Sequence, residues 1–296
     1  MRVYTKGLMK APYPFGLIGD GITRCMVMAL PESKVRALLP AGLRLGEQGV
    51  TPKGTHPVIL QFHRFEHCQF SVPTLLAPMR FREQTFGIPF TWISAECGPC
   101  YFMPRMNLDN LWCLMVGRNI WGFDKQMSVV AETENRYTVA TLAGRRLVSL
   151  GWRSNGNEAR PAVDGYAEFE PVREMLSQTL VSLSPAAVGP FPTLTDFDRR
   201  WNLATVRPLR GELEVDSSYL AGFEGGSYSS ADQPEGVAPS AIGCYELSAQ
   251  WWLSYPYPAP LGPVNTTGVA GAGSQFFSVR GMRSDAYRVS ASDEGR

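Results

Sequence analysis

Gly117-Arg118-Asn119-Ile120-Trp121-Gly122-Phe123-Asp124-Lys125 is the stretch on which the reading of this chain turns. It closes on a lysine, and lysine is scarce here. Of 28 basic side chains only Lys6, Lys10, Lys34, Lys53 and Lys125 are lysines, and none follows Lys125. It lies among Ile120, Trp121, Phe123 and Met127. A guanidinium stays protonated, whereas burial can strip an amine of its proton and leave it able to attack a carbonyl. A chain that prefers arginine yet keeps this lysine either holds it for chemistry or lets it snorkel along an apolar wall with its head in water.

Outward from this stretch, residues 109–117 predict a helix. Leu111, Leu114 and Met115 share one face, Asp109 is the expected cap and Gly117 the expected stop. A short helix is expected over 32–39, closed by Pro40, and another over 172–183. Strands are expected over 21–30, 58–70, 86–95, 203–215 and 244–253, with two more in 128–148 joined around Asn135-Arg136. With 29 Gly, 23 Pro and few helix-period segments, the expected class is a strand-rich α+β fold. A chain of 296 residues can bury a core as one large domain or two smaller ones. No linker or repeat divides it, so a single domain over 1–283 is expected, with a polar, flexible tail over 284–296. Residues 224–243 and 256–274 predict long loops, the kind that serve as lids or subunit contacts.

Several function classes fall away. Net charge is +1 with both signs interspersed, which argues against a nucleic-acid partner. No run approaches 18 apolar residues, so no membrane-spanning helix is expected. Residues 1–20 are broken by Pro12, Pro14 and glycines and do not resemble a signal peptide, so a cytoplasmic location is expected. Gly268 to Gly273 is glycine-rich but lacks the strand and helix that a phosphate-binding loop needs. Cys97-Gly98-Pro99-Cys100 has thioredoxin-like spacing, but no helix starts there, and two buried cysteines in a turn are expected. On a strand, His63 and His67 share a face with Phe65 between them and Cys68 opposite. Without an evident third ligand no metal site is expected. There is no Gly-x-Ser-x-Gly elbow for a nucleophilic serine.

Lys125 therefore carries the chemical reading. Desolvation among Trp121, Phe123 and Met127 would penalise the ammonium and favour the neutral amine. Such an amine attacks a ketone to give a carbinolamine and then a protonated imine. The imine is an electron sink for the carbanion left by loss of CO2, by α-proton abstraction or by aldol cleavage.

Leu108-Asp109-Asn110 followed by Gly117 to Lys125 resembles the signature of the acetoacetate decarboxylase family, in which a short helix leads through Gly-Arg and an aromatic-Gly-aromatic step to the lysine. Val35-Arg36-Ala37-Leu38-Leu39-Pro40-Ala41-Gly42-Leu43 and Phe81-Arg82-Glu83 resemble two further segments of that family, so the resemblance covers residues 12–155. It implies an antiparallel closed or cone-like β-barrel with a few short helices, assembled as a homo-oligomer and using no cofactor. It implies Lys125 as the imine-forming lysine and Glu83 as the acid that handles protons across the pocket. It places Trp121, Arg118 and Phe81 beside the substrate, a small keto acid. Decarboxylation of a β-keto acid is the expected reaction. Aldolase or dehydratase chemistry on a 2-oxo acid is one alternative, and a non-catalytic barrel that binds a small molecule is another.

The chain departs from that pattern in three places. Gln126 stands where the family has a second lysine, and Asp124 where it has a proline. On a strand, Asp124 would face away from Lys125. The first-strand arginine of the family falls near Gly21, and Arg24 is expected on the opposite face. Tyr245, Trp251 and Trp252 are candidates to complete the pocket from the C-terminal half.

Overall fold

β-Branched and aromatic runs pair into one extended, mostly antiparallel sheet in the computed structural model, which describes residues 16–71, 78–93, 97–183, 192–230 and 243–259. The principal strands are β1 (Gly16–Pro31), β2 (Thr55–Phe70), β3 (Met79–Trp92), β4 (Cys100–Leu108), β5 (Lys125–Met127), β6 (Val129–Glu132), β7 (Arg136–Ala140) and β8 (Arg146–Ser154). They continue with β9 (Thr179–Ser182), β10 (Thr193–Thr195), β11 (Phe197–Asp198), β12 (Thr205–Val215) and β13 (Cys244–Ser254). Among the described residues three short α-helices accompany them: α1 (Glu32–Ala37), α2 (Leu111–Trp121) and α3 (Glu170–Leu176). The strand-rich α+β class is thus as expected, and the described residues all fall in one compact unit.

Around the future site the strand order is β13–β1–β2–β3–β4–β9–β10. β4 lends one edge to two parallel partners, β9 at Cys100–Phe102 and β5 at Met106–Leu108. A second arm runs from β13 through β12, β8 and β7 to β6. The sheet curls but is not the closed barrel that the resemblance implies. β10 does not pair with β13; the two-residue β11 makes that contact after an interruption at Asp196. Asp196 holds this seam with its side chain, accepting from Thr179 Oγ1 and Tyr257 OH at 3.0 Å each. Its backbone N–H donates to Ser254 Oγ at 2.9 Å.

Apolar side chains from both faces of the long strands build the core. Phe62, Phe86, Tyr137, Leu150 and Tyr219 fill one side, and Ile59, Tyr101, Trp121, Phe169 and Val206 fill another. α3 ends at Leu176, and residues 179–182 of the helix expected over 172–183 are strand β9 instead, where Leu180 and Val181 are buried between β4 and β10. Of the expected loops, residues 231–242 and 260–274 lie outside the described residues, as does the tail 284–296. Gly226–Ser229 is a short strand on β12. No described helix is long and apolar enough to cross a membrane.

Candidate active site

Helix α2 delivers the lysine. Its cap is Asn110, whose side chain accepts from the Cys113 N–H at 3.0 Å, and not Asp109. Asp109 is occupied otherwise: its carboxylate accepts the backbone N–H of Arg82 at 2.8 Å. Gly117 does not stop the helix. α2 runs one more turn and ends at Gly122, whose φ of 69° is the left-handed conformation that glycine adopts without cost. The chain then turns straight into β5, and alternation buries Lys125 while Asp124 stays exposed. Arg118 fastens the turn by donating Nε to the Lys125 carbonyl oxygen at 2.7 Å.

Lys125 and Glu83 are 7% and 5% exposed, and Lys125 Nζ donates a short hydrogen bond to Glu83 Oε2. Glu83 sits on β3 and Lys125 on β5, the two strands that flank the C-terminal end of β4. They border a cavity with Phe65, Cys68, Phe81, Met103, Met106, Phe123, Phe197, Trp251 and Leu253. The rings of Phe81 and Phe123 are each 6.0 Å from Nζ. Lys125 and Glu83 thus meet directly in an otherwise apolar stretch of the cavity wall.

The polar end of the cavity holds Gln61, His63, Thr85 and Arg199. His63 lies directly across from Glu83 in the β2–β3 ladder, and its Nδ1 is 2.8 Å from Thr23 Oγ1. Burial holds its pKa well below the ordinary histidine value, helped by the nearby Arg199 and Lys125 cations, so the imidazole is neutral. His67 does not join it. A bulge between Phe65 and Cys68 reverses the facing of the strand, so Cys68 lines the cavity while His67 turns outward to Asp20, 3.0 Å away. The expected pairing of His63 with His67 on one face is corrected by that single extra residue. Among the described residues no group of three His, Cys, Asp or Glu could hold a metal ion.

Phe81 lines the cavity as expected. Trp121 lines an apolar recess on the other side of Lys125, with Met79, Cys113 and Val116, and its indole N–H donates to the Ser254 carbonyl at 2.7 Å. Arg118 is exposed and outside the cavity, so it supports Lys125 from behind. Gln126 accepts from Arg105 at 2.7 Å and brings no cation to the lysine. Arg24 faces away, pairing with Glu132 at 2.7 Å and Glu246 at 3.0 Å over the Trp152 ring. Of the three C-terminal candidates, Trp251 lines the cavity; Tyr245 and Trp252 do not. Arg199, which sequence reasoning did not single out, does line it. Its only sequence signal is a place between Phe197 and Trp201, too weak to find it. Cys97 is buried just before β4 and Cys100 is buried as the first residue of that strand, with no helix starting there, and burial pushes the Cys100 thiol up to about 12.

Comparison with known proteins gives the same direction. The profile of a family described as Acetoacetate decarboxylase (ADC) matches residues 10–223. No curated protein sequence matches the chain. Among solved structures, an acetoacetate decarboxylase from Legionella pneumophila is 16% identical with a TM-score of 0.52, covering 86% of this chain and 93% of that one. The enduracididine biosynthesis enzyme MppR, complexed with pyruvate, is 15% identical with a TM-score of 0.52, covering 83% and 90%. At these identities the likeness is one of fold.

Proposed function

The chain belongs to the acetoacetate decarboxylase family, and from that premise we propose that it is a lyase that forms an imine between Lys125 and a keto acid. The buried Lys125–Glu83 pair at the cavity wall carries this reading. A proton passing from Nζ to Glu83 leaves a neutral amine, which adds to the substrate carbonyl. Loss of water gives a protonated imine. In a β-keto acid the bond to the carboxylate then breaks, CO2 leaves, and the electron pair moves through carbon into the imine nitrogen. Glu83, having given the amine's proton to the departing water, takes up a proton from solvent and delivers it to carbon, and hydrolysis of the resulting imine frees the ketone and Lys125. Exclusion of water by Phe81, Phe123 and Met106 keeps the charged intermediate in a low-dielectric site.

A second reading, aldol or dehydratase chemistry on a 2-oxo acid with the same lysine, draws on His63. Dehydration takes a proton from one carbon and expels hydroxide from the next, and a neutral imidazole in the cavity is a second proton carrier.

Borohydride reduction in the presence of acetoacetate, pyruvate and larger keto acids, followed by peptide mass spectrometry, tests the proposal. The expected result is a reduced adduct on Lys125. Lys125→Arg should give no adduct and no turnover while keeping its circular dichroism spectrum. Turnover retained by that variant would overturn imine chemistry, and a well-folded wild type without any adduct would favour a binding protein.

A further inference from the structure

Arg199 follows β11 and is 4% exposed, yet it opens onto the cavity that holds Lys125 and Glu83. Two of its donors serve the fold. Nη1 reaches the Leu176 carbonyl oxygen, and Nη2 reaches Gln61 Oε1 at 3.1 Å. The guanidinium lies 4.3 Å from the centre of the Phe197 ring. A guanidinium has five N–H donors, and among the described residues these two bonds use only part of that capacity. Among the described residues no carboxylate stands within 4.0 Å of it. The carboxylate whose charge bears on it, the exposed Asp198, acts only through space. Arg24 shows the contrast, since that buried arginine meets two carboxylates. Burial lowers Arg199 to about 10, which still leaves it cationic at neutral pH. A buried cation without a counter-ion is unfavourable, and a ligand carboxylate that supplies the missing charge recovers that loss.

On the other side of Lys125, the recess formed by Met79, Cys113, Val116 and Trp121 carries no charged side chain besides Lys125 itself. The amine thus stands between a cationic end and an apolar end.

We propose that Arg199 is the carboxylate subsite of this cavity, and that the substrate class is a monocarboxylic keto acid. Its carboxylate pairs with Arg199, its carbonyl meets Lys125, and its hydrocarbon substituent fills the recess beside Trp121. The assignment rests on the imine reading for the role of Lys125, but the carboxylate subsite can be tested without it.

Isothermal titration with hexanoate, which has a carboxylate and no carbonyl, reads the subsite directly, with 1-hexanol as the uncharged control. Wild type should bind hexanoate at least tenfold more tightly than hexanol. Arg199→Gln should lose tenfold or more for hexanoate and leave hexanol unchanged, while Arg199→Lys, which keeps the charge, should recover part of the loss. A parallel trapping series with 3-oxohexanoate and 2-pentanone should show the same variant raising the half-saturating concentration for the acid alone. Equal wild-type affinity for hexanoate and hexanol overturns the subsite, and so does a variant in which acid and neutral ligand weaken together. Equal affinity in the wild type overturns the subsite even if Arg199→Gln does not fold, and Arg199→Lys then serves as the variant that separates Arg199 from Lys125. Hexanoate binding that depends on Arg199, without any Lys125 adduct, would instead overturn the imine reading and leave the subsite standing.

Discussion

A methyl group on Gly117 would lie 2.4 Å from Cε and 2.5 Å from Cδ of Lys125. The lysine arm therefore crosses α2 at the one point where the helix offers no side chain. This explains why a glycine is tolerated inside a helix, where it costs about 1 kcal/mol relative to alanine. Gly117→Ala should stabilise α2 as a helix and push the flexible lysine arm off its line to Glu83. Displacement of a reacting group by about 1 Å can cost roughly a hundredfold in rate. We expect a comparable loss in the rate of adduct formation on Lys125, with the urea midpoint unchanged or raised. An unchanged trapping rate would show that the arm re-seats freely. The sequence pattern marked this glycine as the stop of the helix, because spacing reveals where a backbone can turn and not what lies above it. The lysine itself was legible, since its scarcity and its aromatic neighbours are properties of the sequence. Arg199 was not, because one arginine among many gives no sign that no carboxylate among the described residues will reach it until the fold surrounds it.

Strand β2 shows what periodicity can and cannot reveal about an element. Its extent was expected within a few residues, and so were those of β1, β12 and β13. Its facing beyond Phe65 was not, because a bulge depends on the partner strand and leaves no trace in alternation. Likewise β9 hid inside an expected helix, where burial by neighbours overrode local pattern. The same strand carries a pH dependence. Burial lowers the pKa of both His56 and His63, at the two buried faces of β2. In the unfolded chain they would titrate near about 6.5. Below that pH the unfolded state binds protons that the folded state refuses, so stability falls as pH is lowered and is fully present above it. The urea midpoint should be level between pH 7 and 8 and drop by pH 5. His63→Asn should flatten part of that drop; an identical drop in the variant would assign the effect to other groups.

Over the whole molecule, α2 presents Leu111, Trp112 and Met115 to solvent, at 60%, 46% and 46% exposure. Three large apolar side chains together on one short helix are unusual for a surface that stays bare. We expect the homo-oligomer that the family resemblance implies, with this helix buried against a second copy. Sedimentation velocity should give the mass of two or more chains, and Trp112→Glu should shift it to one. A monomeric wild type would remove the expectation. The curl of the sheet also divides labour along the chain. Glu83 and Lys125 both come from residues 79–127, with the strand and helix between them. Phe197, Arg199, Trp251 and Leu253, on the facing wall, all come from residues 192–259. If the proposed roles hold, the amine, its acid and the apolar recess are inherited as one cassette and the guanidinium end as another, so recombination within this fold could change how an anion is met while the Lys125–Glu83 pair passes unchanged.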